Sequence, residues 1–234
     1  LQTHQANPGF SHWKAAKRVA RYLHGTKHIG LLYTTPTDYS VRVEGCTDSD
    51  WAGDPDSRKS TMGYLFFING GPVSWAARHQ RIVAQSSNEA EYIALSEACK
   101  EASWMKQLLN HSFNIPLKSL PMYCDNTGAI ALSKNPTLHK KAKHFEVRHH
   151  AVRQLVATRV VSINHIRSEK NPADILTKAL TEAKFKEQRS FTMSGQPELD
   201  LYVSEEANLA ITAYVSRLDS RNTQIQNLET GDIN

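Results

Sequence analysis

Three aspartates crowd one short stretch of this 234-residue chain. The stretch reads VRVEGCTDSDWAGD, spans residues 41–54, and contains Asp48, Asp50 and Asp54. Its first residues alternate between apolar and polar side chains, which is typical of a half-buried β-strand. Carboxylates this close at a strand end repel one another unless a cation or several hydrogen-bond donors lie among them. The pattern indicates either a divalent-metal site or a solvated acidic turn, since aspartate is also an ordinary turn residue.

Periodicity and turn residues predict the elements that would position these acids. Strands are expected at 31–34, 41–48, 63–68, 72–78, 120–124 and 160–166. Helices are expected at 11–24, 88–109, 126–132, at a segment ending near 157, and at 173–180. The predicted fold class is α/β, with a mixed five-stranded sheet (an antiparallel hairpin plus parallel strands) and helices on both faces.

Four acids lie where predicted strands end or helices begin: Asp48, Glu91, Asp125 and Asp174. Ligand sites in open α/β sheets form beyond the carboxyl ends of the strands. Asp48 and Asp125 become neighbours if the first and fourth strands of the core sheet pair in parallel, and Glu91 can then lean over them. The four carboxylates are therefore candidate ligands of one metal site.

Each acid has a structural alternative. Ser86 and Glu89 have the spacing of a helix capping box, which occupies Glu89 and leaves Glu91 beside an apolar stripe. Asp174 follows Asn171 at the spacing of another cap. Asp50 and Asp54 are expected to be turn residues.

The ordered motifs TDSDWAGD, RKSTMGY, VSWAARHQ, SSNEAEYIAL, YCDNTGAI and NPADILTKAL resemble the ribonuclease H domain of copia-type LTR retrotransposon Pol polyproteins. The resemblance implies an RNase H-like fold that cleaves the RNA strand of RNA–DNA hybrids with two Mg²⁺ ions, Mn²⁺ being an alternative. It implies that Asp48 bridges both ions, that Glu91 and Asp125 hold one, and that Asp174 holds the other. The implied partners are the hybrid and the reverse transcriptase region of the same polyprotein. No membrane partner and no small-molecule cofactor are expected.

The resemblance also implies a domain organisation. Residues 1–38 are similar to the end of a reverse transcriptase region, 39–184 to the RNase H domain, and 185–234 resemble neither. Residues 1–186 carry 25 Lys/Arg against 15 Asp/Glu, whereas 187–234 carry 3 against 8. The basic body favours a polyanionic partner, and the last segment is expected to be an acidic, poorly ordered tail.

A basic, histidine-rich stretch at 139–150 lacks the ligand spacing of a zinc site. Contact with the phosphates of a hybrid is expected instead, with short polar side chains contributing from other segments. The candidate nucleic-acid-binding residues are Ser87, Asn88, Asn126, Thr127, Lys140, Lys141, Lys143 and Arg148.

The three cysteines lack the spacing of a disulfide framework or a zinc knuckle, which is typical of a reducing compartment. An intracellular location is expected, cytoplasmic within a virus-like particle and also nuclear. Three functions remain open. The first is an active ribonuclease H, and the second is a catalytically silent or relict nucleic-acid-binding module of the same fold. The third is a DNA-directed nuclease of the same superfamily, which the fourth acid disfavours.

Overall fold

The computed structural model describes residues 1, 5–34, 36–38, 40–54, 56–134 and 143–193, without the side chains of 143–149. Its α-helices and β-strands are, in chain order, α1 (Phe10–Gly25), β1 (Val43–Asp50), β2 (Thr61–Ile68), β3 (Gly71–His79), α2 (Ser87–Gln107), β4 (Leu120–Cys124), α3 (Thr127–Lys134), α4 (Lys143–Ala157), β5 (Val161–His165), α5 (Asp174–Thr177) and α6 (Glu182–Thr192). Leu1–Gly195 forms one compact unit.

The five strands form one mixed sheet in the order β3-β2-β1-β4-β5. The first three strands pair antiparallel, and the pairings of β1 with β4 and of β4 with β5 are parallel. Apolar side chains on one face of the sheet pack against α2, including Tyr92 and Leu95, which are fully buried. The other face packs against Ala173 and Leu176 at α5. The expected α/β class, with a mixed five-stranded sheet and helices on both faces, is confirmed.

Two sequence-based expectations about strands are wrong. Residues 31–34 do not form a strand. Thr34 N–H donates to Asn69 O in the β2–β3 turn at 3.0 Å, and Tyr33 O–H donates to Pro72 O in β3 at 2.8 Å. β1 continues to Asp50, which pairs with Thr61. Asp50 therefore belongs to the strand and not to the turn, whereas Asp54 does accept hydrogen bonds within the following turn.

The last predicted helix, 173–180, ends earlier than expected, and a helix that was not predicted follows it. α5 ends at Thr177, and Thr181 then caps α6 by accepting a hydrogen bond from Lys184 N–H. α6 crosses the expected domain boundary at 184/185 and buries Gln188 completely. It also contacts α1, where the rings of Tyr22 and Phe185 meet edge to face at 5.7 Å. The assignment of 1–38, 39–184 and 185–234 to three segments stays a prediction, and residues 194–234 lie outside the described part.

Candidate metal centre

The parallel pairing of β1 with β4 brings two aspartates to one edge of the sheet. Gly45 pairs with Met122 and Cys46 with Tyr123. The same register, carried past the strand ends, sets Asp48 level with Asp125. The sequence-based expectation that the two strands would pair in parallel therefore holds.

Asp174 joins them from α5, which packs on the same face of the sheet as Asp48. Asn171 fixes this approach: its buried amide donates to Thr47 O at 3.0 Å, and its Oδ1 accepts from Ala173 N–H at 3.2 Å. One carboxylate oxygen from each of Asp48, Asp125 and Asp174 lies within 4.8 Å of the other two.

Glu91 reaches the same edge from the opposite face of the sheet. Its Oε1 accepts a hydrogen bond from Ser49 N–H at 3.3 Å. Glu91 is buried, with only 7% of its surface exposed, and its Oε2 has no hydrogen-bond partner among the described atoms. A carboxylate oxygen also lies with one from Asp125 and the Cys124 sulfur in a second group within 4.8 Å. Asp125 thus joins the two groups into one cluster.

The neighbouring glutamate has a different function in the helix. Ser86 Oγ accepts from Glu89 N–H at 3.2 Å, and Glu89 Oε2 accepts from Gln85 N–H at 2.9 Å. Glu89 therefore caps α2, two residues before Glu91 turns to the sheet. The helix register that separates the two glutamates is the one expected from the capping-box spacing.

Burial controls the electrostatics of this cluster. Burial, followed by the negative charges of Asp48 and Asp125, raises the pKa of Glu91 to about 9. Burial also raises the pKa of Asp48, against the opposing effects of the Thr177 hydroxyl and the Lys178 ammonium group. The pKa of the Cys124 thiol is raised by burial and then by Glu91, so this side chain remains a neutral thiol. Among the possible metal ligands of this cluster, the carboxylates are therefore the groups that can carry a negative charge.

A hard divalent cation fits these donors. Mg²⁺ and Mn²⁺ prefer carboxylate oxygens, whereas a protonated thiol is a poor ligand for them. A buried carboxylate oxygen without a partner is costly, and a bound cation would satisfy Oε2 of Glu91. The cluster is compatible with divalent-metal binding.

Three further residues contact the acids and were not identified from the sequence: Thr177, Lys178 and Lys184. The Thr177 hydroxyl donates to Asp48 Oδ2, and Lys178 Nζ lies 3.2 Å from Asp48 Oδ1. Lys184 Nζ lies 3.1 Å from Asp174 Oδ2. The spacing of Lys178, four residues after Asp174, is a helix-face signal that points to one of these contacts.

The candidate nucleic-acid-binding residues have unequal placements. Ser87 and Asn88 are exposed in the first turn of α2, and a Cβ at Gly128 in α3 would lie 2.6 Å from Asn88 Oδ1. The first turns of α2 and α3 are therefore adjacent, and Thr127 is exposed there. Asn126 accepts from Ala129 N–H at 2.9 Å and so caps α3. Lys140 and Lys141 lie outside the described residues; Lys143 and Arg148 lie in α4, but their side chains are outside the described part.

The sheet order and its pairing define a ribonuclease H-like α/β domain with an acidic cluster at one edge. Comparison with curated proteins then identifies the relatives. This chain is 42% identical over 179 residues to the retrovirus-related Pol polyprotein from transposon TNT 1-94 of Nicotiana tabacum. The match covers 76% of this chain and 13% of that protein. The chain is a homologue of the Pol polyproteins of plant copia-type transposons, as the sequence resemblance indicated.

Two other comparisons give shorter matches. The chain is 50% identical over 105 residues to Secreted RxLR effector protein 161 of Plasmopara viticola, covering 45% of this chain and 72% of that protein. Among solved structures, it is similar to LC11-RNase H1 in complex with an RNA/DNA hybrid, at 18% identity and a TM-score of 0.44, over 58% of this chain and 94% of that chain. No protein-family model matches. In the described part of the chain, every helix is too short or too polar to cross a bilayer.

Proposed function

We propose that the domain is a divalent-metal-dependent endoribonuclease that cleaves the RNA strand of RNA–DNA hybrids during reverse transcription of a retrotransposon. The observation that carries this proposal is the carboxylate cluster of Asp48, Asp125 and Asp174, beside the buried Glu91 oxygen that lacks a partner. The homology to transposon Pol polyproteins supplies the biological setting. The proposed partners are the hybrid and the reverse transcriptase region of the same polyprotein, inside the cell.

The acids divide between the two sides of the proposed site. Glu91 and Asp125 would hold one Mg²⁺ or Mn²⁺ ion, Asp174 a second, and Asp48 both. When bound, the two ions would supply activation of a water molecule and charge stabilisation at the leaving oxygen. The chain itself holds its carboxylates in fixed positions: Ser49 N–H orients Glu91, and Asn171 anchors the turn that presents Asp174.

The first turns of α2 and α3 are the proposed contact for the hybrid backbone. Ser87, Asn88 and Thr127 are exposed there, and Glu91 lies one turn further along α2 than Ser87. Short polar side chains and free N–H groups at helix starts suit phosphate and 2′-hydroxyl oxygens. Asn126 would position this surface through its cap, while the basic residues Lys140, Lys141, Lys143 and Arg148 stay proposed phosphate contacts.

A silent nucleic-acid-binding module is the second candidate, and one observation favours it. Lys178 and Lys184 already neutralise Asp48 and Asp174. A chain in which these ion pairs persisted would bind hybrid without cleaving it.

The distinguishing experiment uses the full chain and three labelled substrates: an RNA–DNA hybrid, double-stranded RNA and duplex DNA. Each is incubated with Mg²⁺, with Mn²⁺ or with EDTA, and Asp48→Asn serves as the matched variant. We expect cleavage of the RNA strand of the hybrid alone, only with a divalent ion, and none by Asp48→Asn. Hybrid binding without cleavage in either ion would favour the silent module. Cleavage of duplex DNA would instead favour a DNA-directed nuclease.

A further inference from the structure

Lys178 lies between two buried acids of the cluster. It follows α5 directly, and its N–H donates to Asp174 O at 3.1 Å. Its Nζ lies 3.2 Å from Asp48 Oδ1 and 3.1 Å from Asp174 Oδ1. The two aspartates are at most 1% exposed, whereas the lysine side chain is 33% exposed. The ammonium group therefore bridges the acids, while part of its side chain borders solvent.

Every carboxylate oxygen of Asp48 and Asp174 has a donor. Asp48 Oδ2 accepts from the Thr177 hydroxyl, and Asp174 Oδ2 is 3.1 Å from Lys184 Nζ. The remaining oxygen of each aspartate contacts Lys178. This half of the cluster is thus hydrogen-bonded and compensated in charge without any ion.

The other half of the cluster differs. Glu91 Oε2 is buried without a partner, and the Asp125 carboxylate makes no hydrogen bond or ion pair with the described residues. An incoming cation gains interactions with Glu91 and Asp125 without displacing an ammonium group. A cation that uses both Asp48 and Asp174 has to replace the ammonium group that joins them.

We propose that the Lys178 ammonium group occupies the Asp48–Asp174 half of the site when no metal is bound. A second divalent ion then binds there only by displacing this ammonium group. This inference rests on the metal site of the proposed function and adds the order in which its two ions bind. The first ion binds at Glu91 and Asp125. The second binds much more weakly, because two ion pairs to buried carboxylates are lost as it enters. The flexible four-carbon stem of Lys178 lets the ammonium group move into solvent as the ion arrives.

Electron paramagnetic resonance of Mn²⁺, which measures the free ion during a titration, tests this without any turnover. For the full chain we expect one Mn²⁺ ion to bind first and a second at a concentration higher by about tenfold or more. Lys178→Gln should raise the affinity of the second ion by about tenfold while leaving that of the first within about twofold. Lys184→Gln, which frees one oxygen of Asp174 alone, should give a smaller change in the same direction.

Lys186→Gln is the matched control. Lys186 lies in α6, and its Nζ is 2.7 Å from Glu182 Oε1 at the surface. This variant removes the same charge from the chain without touching the acids, so both affinities should stay at parental values. If Lys178→Gln does not fold without ions, the comparison of Lys184→Gln with Lys186→Gln provides the test.

The outcomes separate the inference from the function on which it rests. Two equally tight ions in the parent chain, or second-ion affinities that are the same in the parent, Lys178→Gln and Lys184→Gln, would overturn the proposed role of Lys178 and leave the metal site intact. No bound Mn²⁺ in the parent or in any variant would overturn the metal site itself.

Discussion

Asp48 lies directly opposite Gly63 in the antiparallel ladder of β1 and β2. A Cβ at Gly63 would lie 2.9 Å from Leu176 Cβ and 2.9 Å from Thr177 Cγ2. The missing side chain is thus what lets α5 approach the sheet beside Asp48. This close approach puts Asp174 and the Thr177 hydroxyl within reach of the Asp48 carboxylate.

Gly63→Ala is therefore expected to displace α5. The nearest atoms are the Leu176 Cβ, which is bonded directly to the backbone, and the γ-methyl of the β-branched Thr177, so neither can swing away. We therefore expect a loss of about 1–3 kcal/mol in the free energy of unfolding, together with weaker Mn²⁺ binding. Chemical denaturation and an Mn²⁺ titration measure the two effects. Gly25→Ala is the control, since a Cβ there would meet nothing within 4 Å. Equal stability of the two variants would show that α5 does not depend on Gly63.

The raised pKa of Glu91 predicts a dependence of stability on pH. Its folded-state value of about 9 lies above the ordinary 4.5, so between these values the folded chain binds more protons than the unfolded chain. In EDTA, the melting temperature should therefore fall as the pH rises from about 4.5 to about 9. The stabilisation by added Mg²⁺ should grow over the same range, because the ion takes the place of the proton.

Glu91→Gln is the matched variant for this pH dependence. It retains the size of the side chain but has no proton to lose, so its melting temperature in EDTA should fall less steeply. Glu89→Gln, which alters the exposed cap, should retain the parental slope. Parallel slopes for the parent and Glu91→Gln would show that another group causes the dependence.

Much of the fold follows from the sequence because local patterns and the sheet geometry agree. Alternation predicts β1, and the separation of Glu89 from Glu91 follows from a cap and a helical stripe. The extent of β1 was wrong because pairing with β2, up to the partner of Asp50, extends the strand into polar residues. α6 was missed because its helix has few apolar residues and depends on contacts such as that of Gln188 with Glu169.

The composition of the candidate site was only partly predictable. Acids at strand ends are visible from strand order, since the carboxyl ends of parallel strands share an edge. The lysines are not visible in this way. Lys184 reaches Asp174 only because the chain turns between α5 and α6, and that turn breaks the helical spacing that would have related the two residues.

α6 predicts how far the chain can be shortened at its C-terminal end without loss of stability. Gln188 is fully buried, and its Nε2 donates to Glu169 O at 2.7 Å. A chain ending at residue 186 loses this bond and should lose about 1–3 kcal/mol in the free energy of unfolding. A chain ending at residue 195 keeps α6 and should melt like the full chain. Thermal melts of the two shortened chains measure the difference, and equal melting temperatures would place the boundary before Gln188.

Glu91 is proposed to bind the metal ion on which cleavage depends, whereas Glu89 caps α2. Glu89→Gln and Glu91→Gln each replace a carboxylate with an amide of equal size, and the two positions lie two residues apart in α2. Glu89→Gln still accepts a hydrogen bond from Gln85 N–H, so its effect should stay near that of a cap, about 1 kcal/mol or less. Glu91→Gln removes the negative charge beside the ion.

The most direct measurement is the rate at which each full-length variant cleaves the RNA strand of a labelled hybrid in saturating Mg²⁺. Loss of a metal ligand removes several kcal/mol of transition-state stabilisation, so Glu91→Gln should be slower than the parent by about a thousandfold or more. Glu89→Gln should stay within about fivefold of the parental rate. Parental activity in Glu91→Gln, with activity lost in Glu89→Gln, would contradict this account of the site.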